Sequence, residues 1–171
     1  MRIEEWNQVH DMVIASAGGL FASVGLATTY AGTVPHREAQ WAETLSIIGL
    51  GGKVRGSLIL SLPSHLAKRS HPTGGTSAED LGDWLAELVN LLLGRIKTQL
   101  YAHGIAIELS SPLTLTATAF RFERFAGTPV VHEFKVDGST LHVVFEAVSE
   151  PDVRLAPARD TSVAAGEMVT F

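Results

Sequence analysis

Glu87 and Asn90, in the stretch Asp83-x-x-x-Glu87-x-x-Asn90, are the residues of this chain whose types and spacing could do chemistry. One turn apart on a helix, a carboxylate and a carboxamide can address the same small target. A carboxamide is no strong base, but it accepts and donates hydrogen bonds at once. That suits Asn90 to holding a water in line with a phosphoryl group, as a glutamine does in small GTPases. The neighbouring Glu87 could pair with a lysine on a partner. The same spacing also describes an ordinary wetted helix surface, and Glu4-x-x-Asn7 repeats it in this chain.

The element that must position the pair runs from Ser77 to His103. Leu81, Trp84, Leu85, Leu88, Leu92, Ile96 and Leu100 recur at helical spacing. Asp80, Asp83, Glu87, Asn90, Gly94, Lys97 and Tyr101 form a narrow polar stripe opposite them. Thr76-x-x-Glu79 has the form of a capping box, with Ser77 the alternative N-cap, and Gly104 stands where a left-handed C-cap belongs. Arg95 and Gln99 point into the apolar arc. They are expected either to leave the core or to reach a partner or an adjacent layer.

Other chemistries find little support. The seven histidines include no pair at i, i+4 spacing and no HExxH, so they are expected at the surface or rim, and no metal site is expected. His132 and His142 fall on opposite faces of a predicted hairpin. There is no GxxxxGK[ST], no GxGxxG entering a helix and no GxSxG. The absence of cysteine excludes disulfides and thiolate chemistry. A net charge of −5 without a basic cluster argues against nucleic acid as a partner. No charged residue other than histidine lies between Asp11 and Arg37, yet acidic residues precede that run where a signal peptide needs basic ones. Gly, Ser and Thr also dilute it too far for a membrane span. A cytoplasmic protein with no membrane contact is expected.

Along the chain, a helix is predicted over about residues 3 to 25, with Gly18-Gly19 marking a close approach of another element. Tyr30 to Gln40 reads as a loop. Trp41–Leu50 and Lys53–Leu62 read as a hairpin turning at Gly51-Gly52, followed by a short helix at His65–Ser70. After the long helix come a strand at Ile105–Leu109 and a β-rich stretch, Leu113–Phe125, whose alternation changes phase near Phe120. Next is a hairpin over Pro129–Val136 and Ser139–Val148, turning at Asp137-Gly138. The order implies an α+β fold with a mainly antiparallel sheet and long helices packed on it. Residues 1–148 form the domain and 149–171 a loose tail.

The segment Gly56 to Pro112 resembles the CheX branch of the CheC/CheX/FliY chemotaxis phosphatases. The likeness is carried by GSLILSLP leading to a short helix, a Gly-rich loop, an acid, E-x-x-N on a long helix, then Gly94, Lys97 and Pro112. It extends more weakly over most of residues 1–148. The resemblance implies hydrolysis of the aspartyl phosphate of a CheY-like receiver domain. Asn90 would orient the attacking water and Glu87 would dock against the receiver's lysine. Asp83, Lys97 and Pro112 match supporting positions. It also implies a homodimer formed through the sheet, no cofactor bound by this chain, and Mg²⁺ on the partner response regulator. The non-enzymatic alternative is a CheX-like adaptor that binds receiver domains or motor-switch components.

Overall fold

In the computed structural model, which describes residues 1–120, 122 and 127–158, three helices lie on one face of a seven-stranded sheet. The helices are α1 (Ile3–Ser23), α2 (Ser64–Ser70) and α3 (Ala78–Ala102). The strands are β1 (Thr29–Val34), β2 (Thr44–Gly52), β3 (Val54–Ser61), β4 (Ile107–Leu109), β5 (Leu113–Thr116), β6 (Val130–Val136) and β7 (Ser139–Ser149). Their order is β1-β6-β7-β3-β2-β4, with β5 sharing the outer edge of β2, and every pairing is antiparallel. This is the expected α+β architecture.

Period-2 patterning builds the core. Val54, Leu58 and Leu60 of β3, Phe134 and Val136 of β6, and Leu141, Val143 and Phe145 of β7 all face the helices. Onto them α1 lays Val9, Val13, Ala17, Leu20 and Phe21, and α3 lays Leu81, Leu85, Leu88, Val89, Leu92, Leu93, Ile96 and Leu100. The opposite sheet face carries a smaller cluster of Leu45, Ile59, Val131 and Val144, covered by Val34, Ala39, Trp41, Ile47, Phe120 and Phe122. The β6–β7 turn is set as expected by Asp137 and Gly138, both at positive φ, 49° and 75°.

Several expectations are corrected. Tyr30 to Gln40 is not all loop, because Thr29–Val34 forms the edge strand β1 against β6, with a bulge between Tyr30 and Gly32. The first hairpin does not turn at Gly51-Gly52. Both glycines continue β2 and pair with Glu108 and Ile107 of β4, and the chain reverses at Gly52-Lys53, where Gly52 has φ +96°. Among the described residues of the β-rich stretch only Leu113–Thr116 is strand. Most of the region of the expected phase change, residues 121 and 123–126, lies outside the described residues. Residues 149–158 of the segment read as a tail lie on the body: Val153 is buried and the Ala156 N–H donates to the His103 carbonyl, 3.0 Å. Residues 159–171 lie outside the described residues.

Two histidines are interior, not surface. His132 sits on the core face of β6. Its Nε2 lies 3.1 Å from His10 Nδ1 of α1, and its Nδ1 lies 3.3 Å from the Tyr30 hydroxyl. His142 is buried on the opposite face, as the hairpin register required. Its Nε2 is 3.4 Å from Glu133 Oε2, a contact whose geometry falls short of a hydrogen bond.

Candidate functional site

The site is a surface of α3, so the forces that fix that helix come first. Ser77 is the N-cap: its hydroxyl accepts from the Asp80 N–H (3.0 Å), and the Asp80 carboxylate accepts from the Ser77 N–H (3.2 Å). The box is thus Ser77/Asp80, not Thr76/Glu79. Hydrogen bonds from Ser77 hold the Asp80 carboxyl below the ordinary carboxylate range. At the other end Gly104, at φ +80°, closes the helix, and the Ile105 N–H donates to the Leu100 carbonyl, 2.9 Å.

Four hydrogen bonds to three neighbouring elements hold the body of α3. Toward α2, the Trp84 indole N–H donates to the Ser70 hydroxyl, 3.0 Å. Toward β5, the Thr114 hydroxyl donates to the Gly82 carbonyl, 3.1 Å. Toward α1, Gln99 Nε2 donates to the Ser16 hydroxyl (2.6 Å), and Arg95 Nη2 to the Ser23 hydroxyl (3.2 Å). Arg95 and Gln99 therefore reach an adjacent layer. Gly19 also fits that layer, since a Cβ there would lie 3.3 Å from Arg95 Nη1, whereas nothing approaches Gly18.

With its apolar arc buried, the opposite stripe of α3 must face outward. Asp83, Glu87, Asn90 and Lys97 are all exposed, and Gly94 is half-buried. Glu87 and Asn90 are separated by about 4.5 Å along the helix axis and some 60° around it, so both side chains leave the same patch of surface. Between them Leu88 and Val89 are wholly buried, which turns the pair outward. Among the described residues no side-chain hydrogen bond or ion pair engages Asp83, Glu87, Asn90 or Lys97, so the acid and the amide keep their full bonding capacity for something outside the chain. Lys97 stands about 10 Å along the axis from Asn90, on the stripe but apart from the pair.

Pro112 lies in the link from β4 to β5. That link is pinned where the Gly49 N–H donates to the Ser110 hydroxyl, 2.8 Å. Leu109, just before the link, borders the same open depression as Asn90, Leu91, Gly94, Arg95 and Thr98, and Thr114, just after it, bonds Gly82. Pro112 is half-buried in a segment that runs beside the Asp83–Asn90 stretch.

Two further features of this surface border the pair. Leu91, next to Asn90, is 41% exposed, an apolar side chain left at the rim of the pair. Gly94 has ordinary helical backbone and nothing within 4 Å of where a Cβ would sit. A glycine in mid-helix is about 1 kcal/mol less favourable than alanine, and no packing within the chain accounts for it. Among the described residues no group of three or more His, Asp or Glu side chains could hold a metal ion, and no helix is long and apolar enough to cross a membrane.

Residues 44–135, more than half of the chain, match the family described as Chemotaxis phosphatase CheX. No curated protein is significantly similar in sequence. Among solved structures the chain is similar to the chemotaxis protein CheX from Vibrio vulnificus, with a TM-score of 0.73 and 15% identity over 82% of this chain and 99% of that one. It is likewise similar to CheX from Desulfovibrio desulfuricans, with a TM-score of 0.72 and 12% identity over 84% and 99% of the two chains. A third is from Borrelia burgdorferi, a CheX–CheY–BeF3–Mg²⁺ complex, with a TM-score of 0.64 and 17% identity over 80% and 96%. At these identities the likeness is one of fold.

Proposed function

The chain belongs to the chemotaxis phosphatase CheX family, and on that footing we propose that it hydrolyses the aspartyl phosphate of a CheY-like receiver domain through Asn90 and Glu87. The observation that carries the reading is the exposed acid–amide pair: one turn apart, turned outward by buried neighbours and, among the described residues, engaged by no other side chain. The Borrelia burgdorferi protein of similar fold is in complex with CheY, which supports the class of partner.

In this reading the Asn90 carboxamide oxygen accepts a hydrogen bond from a water, and its N–H₂ group is free to donate to a phosphoryl oxygen. The water is thereby held in line with the P–O bond to the receiver's aspartate. Attack forms a new P–O bond and breaks the acyl phosphate bond. The receiver's aspartate leaves as a carboxylate, and both protons of the water leave with the inorganic phosphate, as dihydrogen phosphate. The Glu87 carboxylate pairs with the receiver's lysine and sets the depth at which Asn90 enters. Mg²⁺ held by the receiver neutralises the phosphoryl oxygens, so this chain has no need of a metal site. The protein acts in the cytoplasm as a homodimer joined through its sheet.

The test is the decay of an acetyl-phosphate-labelled CheY receiver with Mg²⁺ and catalytic amounts of this protein. Losing one positioned hydrogen-bonding group typically reduces turnover about 100-fold, and Asn90→Ala is expected to do so while binding persists. Glu87→Ala is expected to weaken binding as well as turnover. If decay is as fast with Asn90→Ala as with wild type, hydrolysis does not run through the amide. If wild type itself binds without accelerating decay, the protein is an adaptor.

A further inference from the structure

Resting on that receiver-docking reading, we infer that the footprint continues past Asn90 to Gly94 and Arg95, where the receiver closes onto bare helix backbone and sets an acidic group on a pre-positioned guanidinium. This contact fixes the direction in which the receiver lies along α3.

Arg95 carries most of the argument. It is exposed, yet its guanidinium is seated: Nη2 donates to the Ser23 hydroxyl, and Nη1 lies 3.3 Å from where a Cβ on Gly19 would be. Ser23 directs its own proton to the Leu20 carbonyl, 2.6 Å, which leaves an oxygen lone pair turned to the arginine. A hydroxyl holds the group in place without cancelling its charge. Among the described residues no carboxylate pairs with Arg95. Most of its five donors therefore remain available in a fixed plane, the arrangement that recognises a carboxylate at little entropic cost.

Gly94 is the second observation. Gly18 on α1 is as open, so openness alone says little. What distinguishes Gly94 is its place, one turn beyond Asn90 on the exposed stripe, in the depression that Asn90 shares with Leu91, Arg95 and Leu109. A missing side chain there lets a partner reach the main chain beside the reacting pair.

Charge order along α3 completes the picture. Glu79, Asp80, Asp83 and Glu87 precede Asn90, while Arg95 and Lys97 follow it. A receiver that places a lysine on Glu87 is best complemented when it presents an acidic group toward Arg95. Docked the other way round, it meets like charges at both ends of the site.

The experiment measures kcat and KM for dephosphorylation of the labelled CheY receiver at several salt concentrations, with thermal midpoints recorded alongside. Arg95→Glu is expected to raise KM about tenfold, with the loss in KM and not in kcat, and to flatten the salt dependence. Arg95→Gln, which keeps a donor for Ser23, should fall between that variant and wild type, and Arg95→Lys should retain most of the affinity. Gly94→Ala should raise the thermal midpoint and yet raise KM. Unchanged KM in both Arg95→Glu and Gly94→Ala overturns the inference, and leaves the catalytic reading intact if Asn90→Ala still abolishes turnover. A loss in Arg95→Glu that tracks a lowered midpoint and is absent in Arg95→Gln also overturns it, since Arg95 would then only hold α1 to α3.

Discussion

Acidification should destabilise this protein from its interior, through His132. The imidazole is 1% exposed, between Tyr30 and His10. Burial, and secondarily the nearby His10, takes its pKa from the usual 6.5 down to about 4. In the unfolded chain the ring gains a proton as pH falls through about 6.5; in the fold it resists until about 4. The unfolded state therefore binds more protons across that window, and stability rises with pH. The contribution is fully present above pH 6.5 and drains away below it. A gap of about 2.5 pH units sets a limit of roughly 3 kcal/mol, of which about 2 kcal/mol is gone by pH 5. Burial also lowers His10 and His142, so the whole protein loses more. The His132 share is isolated by difference. Urea unfolding free energies of wild type and His132→Gln would be compared from pH 7.5 to 5.0, stopping above the range where carboxylates such as Glu5 and Glu133 begin to protonate. Wild type is expected to lose about 2 kcal/mol more than the variant over that interval. Parallel curves would refute the reasoning, for they would mean that the buried ring takes up its proton without penalty.

Two further outcomes test the framework that carries the site. At Gly56, in the middle of β3, a Cβ would stand 1.9 Å from the Glu146 carbonyl oxygen of β7. Backbone cannot yield there without parting the strands, so Gly56→Ala should remove more than about 3 kcal/mol or prevent soluble expression, measured by thermal unfolding. Ser77→Ala deletes the hydroxyl that caps α3 and should lower stability by about 1 kcal/mol. Ser77→Asp should restore most of it, as read by chemical denaturation.

The sequence revealed most where side-chain burial and backbone geometry agree. The ends of α3 and the Asp137-Gly138 turn were readable because capping chemistry and positive φ leave residue-type signatures. β1 was not readable. Its residues are mostly exposed, so TYAGTV shows no apolar alternation, and pairing to β6 through main-chain hydrogen bonds alone defines it as a strand. Gly51-Gly52 misled for a related reason. Glycines that look like a turn here serve a strand that must accept β4 along its edge, and the reversal moved on to Gly52-Lys53. The apolar face of β3 does not depend on where that turn falls, because Val54, Leu58 and Leu60 share a parity either way. For His132 the hairpin register already implied a position among Val130, Phe134 and Val136; reading histidine by its type, as a surface residue, overrode better evidence from its place.

The acid–amide pair was legible because the burial of Leu85, Leu88, Val89 and Leu92 dictates that residues 87 and 90 face outward. The angle at which they are presented was not legible from α3 alone. An apolar arc packed on a sheet tolerates some rotation of the helix about its axis, since sliding contacts trade one methyl for another. Polar pairs tolerate far less, because a shift of an ångström breaks them. Gln99 to Ser16 and Arg95 to Ser23 are such pairs, and they tie α3 to α1 on the side away from β4 and β5. Their signature is split between two segments some 75 residues apart: Ser16, Gly19 and Ser23 at intervals of three and four on one helix, and two polar intrusions at an interval of four on the other. Each half alone looks like a defect in an amphipathic pattern. Together they form the seam that sets the rotation of α3, and therefore the direction in which Glu87 and Asn90 meet whatever docks on them.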